Sequence, residues 1–131
     1  MPHHTIVLIP GDGIGPEVAH AAQKVIDSTG LDVDWIERPA GEAALATHGD
    51  TLPDITLDAI RTHKLGLKGP VGTPIGKGFR SVTVTLRKKL DLYAAVRPVR
   101  SMPGIKTRYD NVDLVIFREN TEGLYSGIEN E

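Results

Sequence analysis

The stretch Thr5–Ile36, reading TIVLIPGDGIGPEVAHAAQKVIDSTGLDVDWI, decides the fold class. Thr5–Ile9 is a short apolar run closed by Pro10, and Gly11-Asp12-Gly13-Ile14-Gly15 is a turn that leads to Pro16. A proline suits the first helical turn because its missing N–H has no intrahelical partner to lose. Val18, Ala21, Ala22, Val25 and Ile26 then recur at helical spacing, predicting an apolar face, and Gly30 ends the helix. Leu31–Ile36 alternates Leu31, Val33 and Trp35 with Asp32, Asp34 and Ile36, as a half-buried strand does. The unit reads as β-α-β and predicts an α/β protein built on a parallel sheet. The turn is G-x-G-x-G before proline, not the G-x-G-x-x-G of a dinucleotide fingerprint. Two readings stay open for it: glycines supplying positive φ in a tight connection, or a backbone that approaches a nucleotide.

Downstream, Gly41–Gly49 is a small-residue segment that reads as helical, and Thr51-Leu52-Pro53-Asp54 predicts a second helix start with Thr51 as its cap. Ile55, Ala59 and Ile60 would form the apolar face of that helix. Leu65–Leu67 is a brief strand running into a Gly/Pro loop, residues 68–78, which is either a plain connection or a ligand-contacting loop on a scaffold. In the next segment local rules conflict. Val82, Thr83, Val84 and Thr85 are β-branched and alternate like a strand, whereas Ser81 and Leu86–Leu90 suit a capped helix. As a helix, it would place Thr83 and Arg87 on one face and Ser81 at an N-terminus that attracts anions. Leu92–Val99 and Val112–Phe117 predict strands, Arg100–Tyr109 a loop, and Thr121–Gly127 a turn-rich exit.

The net charge of −2 conceals three blocks. Residues 1–60 hold ten acids and two bases, residues 61–118 thirteen bases and three acids, and residues 119–131 four acids. The basic block contains Phe79–Arg100, where Arg80, Arg87, Lys88, Lys89, Arg97 and Arg100 face a single acid, Asp91. Planar guanidinium forks meet carboxylates or phosphates bidentately, so several of them on ordered elements suit a small polyanion. A nucleic-acid binder is the weaker reading, because Phe79, Tyr93, Tyr109, Phe117 and Tyr125 are too widely spaced to make stacking platforms. There is no cysteine, which excludes disulfides, thiolate catalysis and Cys-ligated zinc from this chain. No apolar run approaches the roughly 20 residues of a membrane span, and the first strand follows Met1 too closely for a targeting peptide. The expectation is a cytoplasmic protein.

Four motifs, IPGDGIGPEV (Ile9–Val18), LKGPVGTPIG (Leu67–Gly76), SVTVTLRKKLDLYAAVRPVR (Ser81–Arg100) and DLVIFRENTEGLYSGIE (Asp113–Glu129), together resemble the metal-dependent β-decarboxylating dehydrogenases that act on isocitrate, isopropylmalate, homoisocitrate and tartrate. The resemblance runs from end to end and covers the N-terminal portion of such enzymes, which are more than twice this length. It implies a three-layer α/β fold of isocitrate/isopropylmalate dehydrogenase type, not a Rossmann fold, incomplete in this chain. Residues 1–92 would open the large domain and residues 93–131 a smaller second one. It further implies that Ser81, Thr83, Arg87, Arg97 and Arg118 contact substrate, that Tyr125 is the catalytic acid, and that Ile14 and Thr73 lie near the cofactor. Thr83 stands where isocitrate dehydrogenases usually carry asparagine, which leaves its contact open.

The implied activity is NAD-dependent oxidative decarboxylation of isocitrate to 2-oxoglutarate with Mg²⁺ or Mn²⁺, the metal ligands lying outside this chain. NADP in place of NAD, an isopropylmalate or homoisocitrate substrate, and a non-catalytic anion-binding subunit are the alternatives. The resemblance also implies a homo-oligomer, a dimer being the expectation, with no nucleic-acid or membrane partner. The 131 residues alone are expected to be inactive.

Overall fold

The computed structural model describes residues 3–72 and 81–123. It comprises β1 (His4–Ile9), α1 (Gly15–Asp27), β2 (Val33–Glu37), α2 (Glu42–His48), α3 (Asp54–His63), β3 (Gly66–Lys68), α4 (Val82–Lys89), β4 (Ala94–Arg100) and β5 (Asp113–Glu119). The chain divides into two compact units, Met1–Leu86 and Arg87–Glu131.

In the first unit β1 is central in a parallel sheet ordered β2-β1-β3. Val7, Leu8 and Ile9 are successive and all buried, so both faces of β1 are covered. Right-handed crossovers explain how. The chain leaves β1 toward β2 through α1 and returns past it toward β3 through α2 and α3, which puts the two sets of helices on opposite faces. Ala40, Ala44, Leu52 and Leu57 complete that core together with Val82 and Leu86, four residues apart on α4.

Three local expectations need correction. On α1 the buried residues are Gly15 and Ala19, with Ala22 and Ile26 half-buried, while Val18, Ala21 and Val25 are exposed. The predicted face combined two stripes about a quarter-turn apart, and the helix packs on the one whose alanines allow close approach. The other stripe, Ile14-Val18-Ala21-Val25, stays on the outside. Thr51 does not cap α3. Pro53 holds the N-cap position without a side-chain bond, and its carbonyl accepts from Thr56 and Leu57. Thr51 instead uses its carbonyl to accept the Gly41 N–H at 2.8 Å. Finally, α3 buries Thr56 and Leu57 while Ile55 is exposed. The Thr56 hydroxyl fits the core because it donates to the Pro39 carbonyl at 2.6 Å, which removes the cost of an unpaired buried hydroxyl.

The second unit contains the antiparallel pair β4–β5, with Ala95 opposite Arg118, Arg97 opposite Ile116 and Arg100 opposite Asp113. Pro98 lies inside β4 opposite Val115 rather than ending the strand, and β4 extends to Arg100. Because side chains alternate, one face carries Ala95, Arg97, Val99, Leu114, Ile116 and Arg118, and the other carries Val96, Pro98, Val115 and Phe117. Large apolar side chains on both faces are exposed, Phe117 at 71%.

Gly11 in the β1–α1 connection is required by space as well as by φ. Gly11 has φ +82° and a Cβ there would run into the Pro70 carbonyl, whereas Gly30, at φ +76°, has nothing within 4 Å. Gly30→Ala should therefore cost only the strained φ, about 1 kcal/mol, and Gly11→Ala should exceed it by at least ~1–2 kcal/mol because backbone must also move. Urea unfolding of the two variants measures the difference, and equal midpoints would refute the close approach.

Candidate functional site

Two loops leave the carboxyl ends of β1 and β3. The chain turns one way from β1 to β2 and the other way to β3, so the gap between β1 and β3 is the topological switch point, where open α/β sheets take ligands. The loops there are packed against each other. The Gly69 N–H donates to the Ile9 carbonyl and the Asp12 N–H to the Pro70 carbonyl, both at 2.8 Å. A Cβ on Gly15 or Gly69 would run into the Pro10 carbonyl. Most of the glycine pattern thus serves the mutual approach of the two loops. Gly13, with open space around it, and Ile14, 67% exposed at the N-cap of α1, form the outward part.

Asp12 is the hub of this arrangement. Its carboxylate accepts the N–H of Gly72 at 2.7 Å, of Glu42 at 3.1 Å and of Ala43 at 3.2 Å. Glu42 and Ala43 begin α2, whose own N-cap, Gly41, has φ +87° and ψ −150° and no side chain to offer. Asp12 therefore caps α2 from another part of the chain and bonds the β3 loop with the same group. Sequence reasoning passed over this residue. The available signal was an acid inside a glycine turn, with glycines at 41 and 72 leaving room for it.

Beside β1 and β2 lies a cleft of about 360 Å³ lined by Pro10, Pro16, His20, Glu37, Arg38 and Ala43 among others. It contains none of the predicted site residues. Arg38 donates through Nη1 to the Glu37 carbonyl at 2.8 Å, and its buried Nε has no partner among the described residues.

The conflict over residues 82–89 resolves as helix. A helix buries Val82 and Leu86 together at i, i+4 and leaves Val84 between them only half-buried, whereas a strand would line all three along one face. Ser81 is exposed at the N-cap position, its carbonyl accepting the Thr85 N–H at 2.9 Å. Thr83 and Arg87 are half-buried and share one face of α4. The helix ends in a Schellman motif: the Asp91 N–H donates to Lys88 and the Leu92 N–H to Arg87, with Asp91 at φ +53°. Arg87, Lys88 and Lys89 in the last turn suit the negative end of the helix dipole.

Arg97 and Arg118 lie on the same face of β4–β5 as diagonal neighbours, since Arg97 is opposite Ile116 and Arg118 two residues further on. Such positions are about 7–8 Å apart at the backbone, within reach of two long side chains meeting one carboxylate. Arg100 is on the opposite face and is committed to Asp113 at 3.1 Å. Thr73 and Tyr125 lie outside the described residues. Among the described residues no group of three His, Asp or Glu side chains is arranged to hold a metal ion.

Beyond β5 the Glu119 carboxylate accepts from the Thr121 N–H at 2.7 Å, the Thr121 hydroxyl at 2.8 Å and the Glu122 N–H at 2.9 Å. The Asn120 N–H donates to the Tyr93 carbonyl at 2.9 Å, which docks the turn on the start of β4. Asn120 is buried, and its Oδ1 has no partner among the described residues.

The profile of the family described as "Isocitrate/isopropylmalate dehydrogenase" matches residues 5–131. The chain is 52% identical over 127 residues to the mitochondrial isocitrate dehydrogenase [NAD] catalytic subunit 5 of Arabidopsis thaliana, covering 97% of this chain and 34% of that protein. It is 49% identical to the chloroplastic 3-isopropylmalate dehydrogenase of Solanum tuberosum, covering 95% and 35%. Among solved structures, isocitrate dehydrogenase from Methylococcus capsulatus superposes with a TM-score of 0.83 at 56% identity, covering 95% of this chain and 37% of that one. The chain thus spans about a third of the length of the curated relatives it matches.

The turn after β5 has a pH signature. The three donors, the Thr121 backbone N–H foremost, hold the Glu119 carboxyl below the usual glutamate value. A depressed folded-state pKa means that the turn's contribution is present above the unfolded value and is lost as pH falls through the folded one. A side-chain NMR titration of Glu119 should give a midpoint below that of glutamate in an unstructured reference peptide, and a midpoint at or above the reference would refute the turn.

Proposed function

This chain belongs to the isocitrate/isopropylmalate dehydrogenase family, and on that premise we propose that it carries the substrate-carboxylate site of an NAD-dependent isocitrate dehydrogenase, converting isocitrate to 2-oxoglutarate. The observation that carries the proposal is the placement of Arg97 and Arg118 on one face of β4–β5, away from the ion-paired Arg100. Two guanidinium forks at diagonal positions hold a carboxylate in a fixed plane and leave others of a tricarboxylate for further donors. The proposal also includes Arg87 and Thr83, which share one face of α4, and Ser81, at the end of that helix where the dipole favours negative charge. Ser81 favours isocitrate over isopropylmalate, since a hydroxyl suits a carboxylate and not an alkyl group. A substrate with several carboxylates also explains why this region is rich in arginine and poor in acid.

In this reading the bound nicotinamide accepts hydride from the substrate's hydroxyl carbon. Ile14 offers apolar surface to the nucleotide beside the open backbone of Gly13, and Thr73 follows the Asp12-bound Gly72. Tyr125 supplies the proton taken up after carbon dioxide leaves. NAD rather than NADP is part of the proposal, in line with the Arabidopsis relative's name. So are residues 1–92 as part of a large domain, residues 93–131 as the start of a second, and assembly as a homo-oligomer. Mg²⁺ or Mn²⁺ with ligands outside this chain is also part of the proposal, and no step is assigned to the metal. No described helix is long and apolar enough to cross a membrane. The cytoplasmic placement is likewise proposed, the Arabidopsis relative being mitochondrial by name.

The test is a chimera in which residues 5–131 replace the matching segment of the Methylococcus capsulatus enzyme. It should reduce NAD with isocitrate in preference to isopropylmalate. Arg97→Ala should lower kcat/KM for isocitrate roughly ten- to a hundredfold, the worth of a charge-assisted hydrogen bond. Ser81→Asp should abolish turnover by like-charge repulsion without loss of helical circular dichroism. An Arg97→Ala chimera with unchanged KM and kcat would remove that residue from the site, and preference for isopropylmalate would reassign the substrate.

The 131 residues by themselves should give no reduced nicotinamide with isocitrate, Mg²⁺ or Mn²⁺ and either dinucleotide. Positioning and electrostatic preorganisation together account for on the order of 10 kcal/mol of barrier lowering, which two arginines on an exposed hairpin do not supply. Sustained growth of the reduced cofactor's absorbance in that mixture would refute this expectation.

A further inference from the structure

We infer that Asp12 is the positioning residue for dinucleotide binding, setting the β1 loop and the β3 loop against each other across the switch point. The inference rests on the dinucleotide reading above. Asp12 is held by its own backbone to the β3 loop, N–H to the Pro70 carbonyl at 2.8 Å. Its Oδ2 accepts the N–H of Gly72 at 2.7 Å and of Glu42 at 3.1 Å, while Oδ1 accepts that of Ala43 at 3.2 Å. A single carboxylate therefore joins three segments that are remote in sequence: the turn before α1, the start of α2 and the loop after β3.

The surroundings are shaped around that carboxylate. A Cβ on Gly41 would overlap it, and a Cβ on Gly72 would lie 3.3 Å from Oδ2. Ile14 is two residues beyond Asp12 and Thr73 one residue beyond Gly72, so the two positions assigned to the nucleotide flank the clasp in sequence. Asp12 itself faces protein N–H groups. Its effect on a nucleotide is exerted through the backbone it fixes.

Replacement by asparagine tests this sharply, because it keeps the shape and exchanges one oxygen for a donor. The resulting amide cannot serve Ala43 and Gly72 at once, because their N–H groups go to different oxygens, and the bonds it keeps lose their ionic assistance. In the chimera, Asp12→Asn should raise the Kd for NAD about three- to tenfold while the KM for isocitrate stays within about twofold. Asp12→Ala, where it folds, should raise the Kd for NAD further. A Kd for NAD unchanged in Asp12→Asn would overturn the inference. Equal rises in both constants would also overturn it, since they would mark a residue that merely supports the fold. A chimera that binds NAD but oxidises no isocitrate would sink the proposed function and still decide the role of Asp12 from the Kd alone.

Discussion

The burial of β1 on both faces is the constraint from which the first unit follows. Val7, Leu8 and Ile9 are each at most 2% exposed, and covering such side chains stabilises by about 1.5–3 kcal/mol apiece. A strand apolar on both sides needs partners on both edges and helices above and below. β2 and β3 fill the edges in parallel, and parallel pairing requires a crossover helix for each return. The remaining detail at the carboxyl end, with glycines where carbonyls meet and Asp12 where N–H groups converge, is how three connections crowd over the end of one buried strand.

What was legible in the sequence was whatever depended on local periodicity. The β-α-β opening, the helical residues between Gly41 and Gly49 and the apolar run of β5 all formed. The residues that misled were those whose role is tertiary. Val18 and Val25 have the spacing of a core face, yet Ala19 is buried, because spacing alone does not say which of two adjacent apolar stripes meets the sheet. Thr51 had the form of a cap, but the Leu52-Pro53 step carries the chain into the helix from an extended conformation and leaves Thr51 to bond Gly41. In α4 the β-branched residues gave way to the pairing of Val82 with Leu86 in the core, a case of burial overriding propensity.

The candidate site divides in the same way. That Arg97 shares a face with Arg118 follows from alternation once the register is known, and the register is not a property of either strand alone. The family motifs named both arginines, Ser81 and Arg87, but could not assign Asp12. Its three bonds go to residues thirty to sixty positions away, and a carboxylate in a turn has no pattern that announces such partners. The glycine motif admits either a tight connection or a nucleotide approach, and the geometry gives different parts of it different tasks: Gly11 and Gly15 to packing, Gly13 and Ile14 to the outside.

The contrast between the two sheets has a kinetic side. β4 and β5 are antiparallel and joined by a loop within reach of its own ends, whereas β1 meets β3 only after roughly sixty residues have been spanned, Val7 pairing with Gly66. Loop closure makes such distant parallel pairing slow and local hairpins fast. The hairpin is therefore expected to exist before the sheet does, with Phe117 and its neighbours already in water on both faces. An early element without an interior of its own is the segment most open to wrong partners during folding, and its arginines and the Arg100–Asp113 pair put charge on each face of what would otherwise be a sticky ribbon.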